Sequence, residues 1–364
     1  MVRGAPGRAI SRVLACVEQS PLTLHDINPI RDDRWVDFVE RHHDGSIFHT
    51  PQWLEALRRT YGYEPVALTD AAPGERLNNG LLFCRVSSWM TGRRLVSLPF
   101  SDHCEPLVDD PDTLVSMLDS VTALIGREGR YIELRPVRER SIPAFTAWSA
   151  FCLHSIDLRP TLEQIFSRFH PSHIRRTIRK AERLGLTCEA GRSAALLTEF
   201  YALHALTRRK HGVPIQPFDW FRNLMDELGD RLSIHVAKHG GSPVAAIMTV
   251  WHNKTLVYKY GCSDAALNHY GGTPLLFWKA IQDAKAQGIQ QFDLGRSDLG
   301  NRGLLAFKDH LGARRIPLTY YCYTGRRRAA PGAAWKPALA KHAFGLVPRR
   351  IQVTVGSRLY RHFG

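Results

Sequence analysis

Apolar positions along the chain switch between a period near two and a period near 3.6, and the switches fall in a repeating order. From Leu22 the pattern predicts a short strand, "LTLHDI", a helix around Trp35, Phe38 and Val39, and a second helix, "PQWLEALRRTYG", opened by Thr50-Pro51. Three strands follow, "EPVALTD", "GLLFCRVSSW" and "RRLVSLPF", the last two joined by a turn at Thr91-Gly92. A helix with apolar positions Leu114, Met117, Leu118, Val121, Leu124 and Ile125 comes next, then a strand "YIEL", a short helix at 141 to 149 and a strand "FCLHSIDL". The order is βααβββαβαβ.

After a helical segment interrupted at Pro171, the order returns. A strand "LTCEA" leads into helices "AALLTEFYALHALTRRK" and "PFDWFRNLMDEL", then strands "RLSIHVAK", "SPVAAIMTVW" and "TLVYKYGC". The helix "GGTPLLFWKAIQDAKAQG", the strand "IQQFDL", the helix "RGLLAFKDHLG" and the strand "RRIPLTYYCY" complete it. Two segments with one element order predict a duplicated α/β fold, residues 22–158 and 159–325, each a mixed twisted sheet flanked by helices. Residues 1–21 form an N-terminal extension and 326–364 a C-terminal tail.

A chain of 364 residues is long enough for two cores. Of the net charge of +15, nine positive residues and no acid lie in 326–364, so the body is nearly balanced and the tail is basic. The tail's "LVPRRIQVTVGSRLYRHFG" fits a membrane-surface helix with Ile351, Val355, Leu359 and Phe363 on one face, a strand, or a charged flexible end. Seven cysteines without a C-x-x-C pair, and a leading segment too interrupted for a secretory signal, imply reduced thiols in a cytoplasmic protein, peripheral at the inner membrane if the tail docks there. No stretch approaches a membrane span, and no zinc site is expected.

Several stretches carry a family resemblance: "RRTIRKAERLG", "RRKHGVPIQPFDWF", "YKYGCSDAALNHYGGTPLLFWKAIQDAKAQGIQQFDLG" and "GLLAFKDHLGA", with "FHTPQWLEALRRTYGYEP" and "SLPFSDHCEPL" in the first half. Together they resemble the FemAB family and the related BioF-like acetyltransferase domains, which are tandem GNAT folds. The resemblance spans roughly residues 22 to 325. It implies an N-acyltransferase that joins an acyl or aminoacyl group to an amine on a cell-envelope precursor, with no permanently bound cofactor, no metal and no DNA partner. The donor is acyl-CoA or aminoacyl-tRNA; the acceptor is a peptidoglycan peptide or an amino sugar of capsule or exopolysaccharide. A non-catalytic envelope-assembly scaffold is the alternative outside enzymology.

Acyl transfer needs a positioned donor carbonyl, hydrogen-bond donors for the oxyanion and an acceptor amine that loses a proton. In a GNAT-type sheet these meet where the central strands splay. There this chain offers Tyr258, Lys259, Tyr260, Ser263 and Asp264 on one strand end and Gly295, Arg296, Ser297, Asp298 and Asn301 on the next. Asp298 or Asp264 would orient or deprotonate the amine; each Ser and Asp reads equally as a cap or turn residue. Arg296 ends an apolar strand and needs an anionic or carbonyl partner if buried. Lys308 reads by pattern as solvent-facing, whereas the resemblance sets it beside the acyl-transfer channel as a contact to carbonyl or phosphate. Tyr270, Gly271, Gly272 and Thr273 open a helix where a GNAT enzyme cradles coenzyme A, but Asn268-His269-Tyr270-Gly271-Gly272-Thr273 departs from the usual Gln/Arg-x-x-Gly-x-Gly/Ala, and Pro274 removes a donor. Arg168, Arg175, Arg176, Arg179, Lys180 and Arg183 offer a track for the phosphates of tRNA, or a solvated helix face. In the first half, Asp102, His103, Cys104 and Glu105 are consecutive; neighbours on an extended chain point alternately and cannot converge on one ion. Asp102 and His103, with Arg135 and Glu133 close by, are expected to bind substrate.

Overall fold

The computed structural model describes residues 22–88, 92–125, 131–324 and 360–362. In the first half β1 (His25–Ile27) is followed by α1 (Asp33–Arg41), α2 (Pro51–Tyr61), β2 (Glu64–Thr69), β3 (Leu81–Ser88), β4 (Gly92–Val96), α3 (Pro111–Ile125), β5 (Tyr131–Leu134) and β6 (Thr146–Asp157). Two short helices, α4 (Leu162–Arg168) and α5 (Arg176–Arg183), flank a wide turn at Pro171–Arg175. The second half runs β7 (Thr187–Gly191), α6 (Ala194–Lys210), α7 (Phe218–Leu228), β8 (Leu232–His239), β9 (Ser242–His252), β10 (Thr255–Ser263), α8 (Gly272–Ala286), β11 (Gln291–Asp298), α9 (Arg302–His310) and β12 (Arg314–Tyr323). Thr50 caps α2 by accepting from Trp53 N–H, and Pro51 takes the first helical position, so the predicted start of that helix stands.

Among the described residues the twelve strands form one sheet in the order β1-β2-β3-β4-β5-β12-β6-β11-β10-β9-β8-β7. Read outward from its centre, the sheet repeats itself. β4 pairs in parallel with β5 as β10 does with β11, and the remaining neighbours are antiparallel. The central two strands are exchanged: β12, last in the second half, lies against β5, while β6 of the first half lies against β11. β6 and β12 pair with each other from Thr146–Cys322 to Ser155–Arg314.

That pairing corrects one expectation. Residues 141 to 149 form no helix; β6 already begins at Thr146, because β12 supplies its backbone partners there. The N-terminal extension 1–21 and, apart from residues 360–362, the tail 326–364 lie outside the described residues, so the readings placed on them do too. Among the described residues no helix is long and apolar enough to cross a membrane.

One core packs α1 and α2 of the first half with α6 and α7 of the second, around Trp35, Phe38, Phe48, Trp53, Phe200, Trp220 and Phe221. Trp53 and Trp220 meet edge to face at 5.6 Å, and Asn223 Nδ2 donates to Thr60 Oγ1 at 2.9 Å. The halves therefore share a buried interface. α4, α5 and α8 cover the opposite face of the second half, around Phe169, Ile178, Phe277 and Phe292, and α3 closes the first around Phe83, Met117, Leu118 and Ile132.

Candidate functional site

β10 and β11 pair only from Thr255–Gln291 to Val257–Asp293. Beyond that, β10 bulges between Tyr258 and Tyr260, and β11 bulges between Asp293 and Arg296 as it turns to follow β6. Gly295 makes the turn with a φ of +70°; a side-chain carbon there would lie 3.1 Å from Asp102 Oδ2 and 3.3 Å from the Tyr258 carbonyl. Glycine is needed both for the backbone angle and for the close approach. A notch opens in the sheet at this point.

The loop 97–104 of the first half enters the notch. Leu98 and Phe100 hold positive φ angles of 59° and 60°, a strained conformation for large side chains. Arg135 stabilises it: its guanidinium donates to the carbonyls of Leu98 at 2.8 Å and Ser101 at 3.2 Å while pairing with Glu133 at 2.7 Å. Arg135, expected to contact substrate, spends its Nε and Nη1 on these partners and lies over the Tyr320 ring. It positions the loop.

The four consecutive residues of the loop diverge. Asp102 accepts from Lys259 Nζ at 3.1 Å and sits 4.0 Å from Arg296 Nε. His103 Nε2 lies 2.7 Å from Asp293 Oδ2, whose other oxygen accepts the Gly295 N–H at 2.7 Å. Cys104 turns to His49 Nε2 at 3.4 Å, and burial raises its pKa far above the usual thiol range, which argues against a thiolate nucleophile. Glu105 binds Arg140 and the N–H groups of Val137 and Arg138.

Lys308 is buried, with 1% of its surface exposed, and donates to the carbonyls of Gly295 at 2.8 Å and Arg296 at 3.4 Å. Burial lowers its pKa to about 8 against the attraction of Asp102 and Asp293. Burial also lowers Lys259, whereas Asp102, which burial alone would raise, is held below the carboxylate range by Lys259 and Arg296. His103 moves the other way: burial would lower it, but the hydrogen bond to Asp293 together with the nearby charges of Asp293, Asp102 and Glu105 outweighs that and raises it. Arg296 donates to Tyr320 Oη at 2.8 Å and stacks 4.4 Å above the Phe151 ring; the same hydroxyl donates to the Asp102 carbonyl at 2.6 Å. Phe151 and Tyr320 come from the exchanged strands β6 and β12.

The notch thus gathers Asp102, His103, Lys259, Asp293, Arg296 and Lys308. Of these, Lys259, seen in the sequence at the splaying strand end, and Asp293 had been assigned no role in catalysis or binding, although each sits on an otherwise apolar strand, where a charged residue is a usable signal. Ser297 lies on β11 opposite Cys152, its hydroxyl buried without a partner among the described residues. Asp298 is exposed at the strand end, and Asn301 caps α9 by accepting from Leu304 N–H. Tyr258 packs on Phe277 and across Gly261, and Tyr260 Oη accepts from Trp220 and Gln216 inside the shared core. Ser263 and Asp264 are not brought beside Ser297 and Asp298, since the two strands have already parted. Asp264 caps the following turn through Ala266 N–H. Gly271 and Gly272 hold the start of α8 against α5 and β9: added side-chain carbons would meet Thr177 at 2.6 Å and Val244 at 2.9 Å. Tyr270 lies against His239, and Thr273 is half-buried in the first turn of α8.

Two hollows border the site. His103 and Asp293 line a cavity of about 180 Å³ together with Ser46, Ile47, Leu153 and Val257. Through Ser155, Thr255 and Gln291 it joins a polar groove of about 590 Å³ carrying Arg159, Arg168, Lys254 and Arg314. Separately, Arg175, Arg176, Arg179 and Arg183 line an open groove beside α5 with Pro171 and Glu182.

Residues 168–309 match the family described as Acetyltransferase (GNAT) domain. The chain is 25% identical over 168 residues to the UDP-N-acetylmuramoylpentapeptide-lysine N(6)-alanyltransferase of Weissella viridescens, covering 45% of this chain and 48% of that protein. It thus spans about half the length of that relative. Among solved structures it is similar to FemX, with a TM-score of 0.65 at 14% identity over 83% of this chain and 97% of that one. A tandem GNAT protein from the clavulanic acid biosynthesis pathway is similar with a TM-score of 0.52 at 11% identity, over 84% and 100%. The fold is an α/β tandem of GNAT-like halves.

Proposed function

We propose that this tandem GNAT-like chain is a cytoplasmic N-acyltransferase that moves an aminoacyl group from aminoacyl-tRNA to an amine on a cell-envelope precursor. The observation that carries the reading is the convergence at the β10/β11 notch of a His-Asp pair, supplied half by each repeat, with two buried lysines and Arg296. The similarity of about half the alanyltransferase to this chain supports the reaction class.

In the proposed step the amine nitrogen attacks the ester carbonyl, the C–N bond forms and the bond to the tRNA ribose oxygen breaks. The amine proton passes to His103, which Asp293 orients, and then to the leaving oxygen. Lys308, whose ammonium keeps donor capacity beyond its two carbonyl partners, and Arg296 stabilise the negative charge on the carbonyl oxygen. Asp102 keeps Lys259 charged and holds it and Arg296 in place.

The acceptor enters along the groove of Arg159, Arg168, Lys254 and Arg314, which suits a phosphorylated precursor, and delivers its amine to the smaller cavity under His103. A peptidoglycan peptide and an amino sugar both satisfy that chemistry. Use of α8's glycines for packing against α5, together with the arginine groove, favours tRNA over acyl-CoA as donor. The match to an acetyltransferase family keeps acyl-CoA as the second reading. Asp298 and Asp264, named from the sequence as alternative bases, hold no place in this step.

Mass spectrometry of envelope glycans and muropeptides with and without the protein identifies the acceptor. Transfer that is saturable in aminoacyl-tRNA and abolished by ribonuclease supports the donor assignment; insensitivity to ribonuclease with thermal protection by coenzyme A reverses it. Unchanged modification in cells carrying Lys308→Ala and His103→Gln would sink the catalytic reading.

A further inference from the structure

Away from the notch, three histidines from two distant parts of the chain meet at the surface. His170 and His173 bracket the start of the turn Pro171–Arg175 between α4 and α5, and His310 ends α9. One ring nitrogen of each lies within 4.8 Å of the other two. The His173 and His310 rings stack at 4.6 Å with 2° between their planes, and His170 lies 4.5 Å from His310 and 4.6 Å from His173. The backbone fixes this meeting, because His170 N–H donates to the His310 carbonyl at 2.8 Å.

We propose that His170, His173 and His310 form a binding site for a borderline-soft divalent ion such as Zn2+ or Ni2+. Three imidazoles without a carboxylate select such ions over Mg2+ and Ca2+. With bonds of about 2.0–2.1 Å, three nitrogens around one tetrahedral ion stand roughly 3.3 Å apart. Small side-chain rotations reach that spacing, since His173 is exposed and the other two are half-buried. His170 Nδ1 has only long contacts, 3.3 Å from His173 N–H and 3.5 Å from Ser172 Oγ, so its lone pair can be given to the ion at little cost. The fourth position faces solvent and takes water.

The other histidine cluster, His42, His43, Asp44 and Asp109, has the stronger acids but also a resident cation: Arg138 Nη2 pairs with Asp44 at 2.6 Å and lies 3.2 Å from His43 Nε2. A metal would have to displace it.

An ion on the three histidines ties the end of α9, two residues beyond Lys308, to the junction of α4 and α5. The proposal stands apart from the transfer reaction. Its test uses the full chain freed of any polyhistidine tag and titrated with Co2+. The expected result is a saturable visible absorption of low-coordinate Co2+ at one equivalent, displaced by Zn2+, with a rise in the melting temperature of about 5 °C at a hundredfold excess over Kd. His173→Ala, at an exposed position, weakens binding at least tenfold, and His173→Ala with His310→Ala abolishes the absorption and the thermal shift. No saturable signal in the unmodified chain, or a full signal in the double variant, overturns it.

Discussion

At the scale of single residues, Lys308 and His103 are tuned in opposite directions by their surroundings. Lys308 must be protonated to stabilise an oxyanion, and burial brings its pKa down to about 8, so transfer should fall as pH rises through that value. His103 must be neutral to take a proton, and Asp293 raises its pKa, so transfer should rise with pH through a midpoint above the usual 6.5. The expected rate profile is a narrow bell. Asp293→Asn removes a charge that raises both groups, so both limbs should move to lower pH, the acid limb further because Asp293 also hydrogen-bonds His103; an acid limb that stays in place would contradict the assignment. These roles were unevenly legible. On pattern alone Lys308, next to Asp309 on an amphipathic helix, reads as solvated, and only the resemblance marked it. His103 was visible as a polar residue in "SLPFSDHCEPL", but its partner Asp293 lies 190 residues away, and nothing local in either stretch encodes that meeting.

At the scale of elements, the notch depends on one backbone position. Gly295→Ala places a methyl group against Asp102 and the Tyr258 carbonyl and forces a positive φ on alanine, an expected loss of about 1–3 kcal/mol of stability. Transfer should drop more than stability does, because Lys308 binds the Gly295 carbonyl. Chemical denaturation and transfer assays on the same preparation separate the two effects, and an unaffected rate would count against the notch as the reaction site. Most elements were legible from periodicity, from the cap at Thr50 to the second-half helices. The failure at 141–149 has a physical cause: from Thr146 the segment pairs with β12, from the far end of the second half, and that long-range pairing decides its conformation. The pairing of the two Ser-Asp stretches failed similarly, since β10 and β11 run side by side for three residues and then part.

On the scale of the whole molecule, the site is assembled across the repeat. Asp102 from the first half neutralises buried Lys259 from the second, so Asp102→Asn should cost about 3–5 kcal/mol by leaving that ammonium without its counter-charge. Adding Lys259→Met should recover a large part of this, and a double-mutant cycle measured by urea unfolding reads the coupling. The duplicated order was legible in the sequence; the exchange of β6 and β12 was not, because both assignments have the same element order. We propose the division at 158/159 as the boundary of the duplication, and its consequence for folding follows from the exchange. A fragment of residues 22–158 ends with β6 but lacks β12, so β5 has no partner on that side and β6 has no neighbour from either half. It also loses α6 and α7, which complete the core around Trp35, Trp53 and Phe48. Such an edge is open to aggregation. The fragment should therefore remain unfolded or aggregate alone, and fold when produced together with residues 159–364, as followed by circular dichroism and co-purification. A monomeric 22–158 that melts cooperatively would show instead that β6 can close back onto β5, the unexchanged arrangement, and that the exchange is not required for the first half to fold.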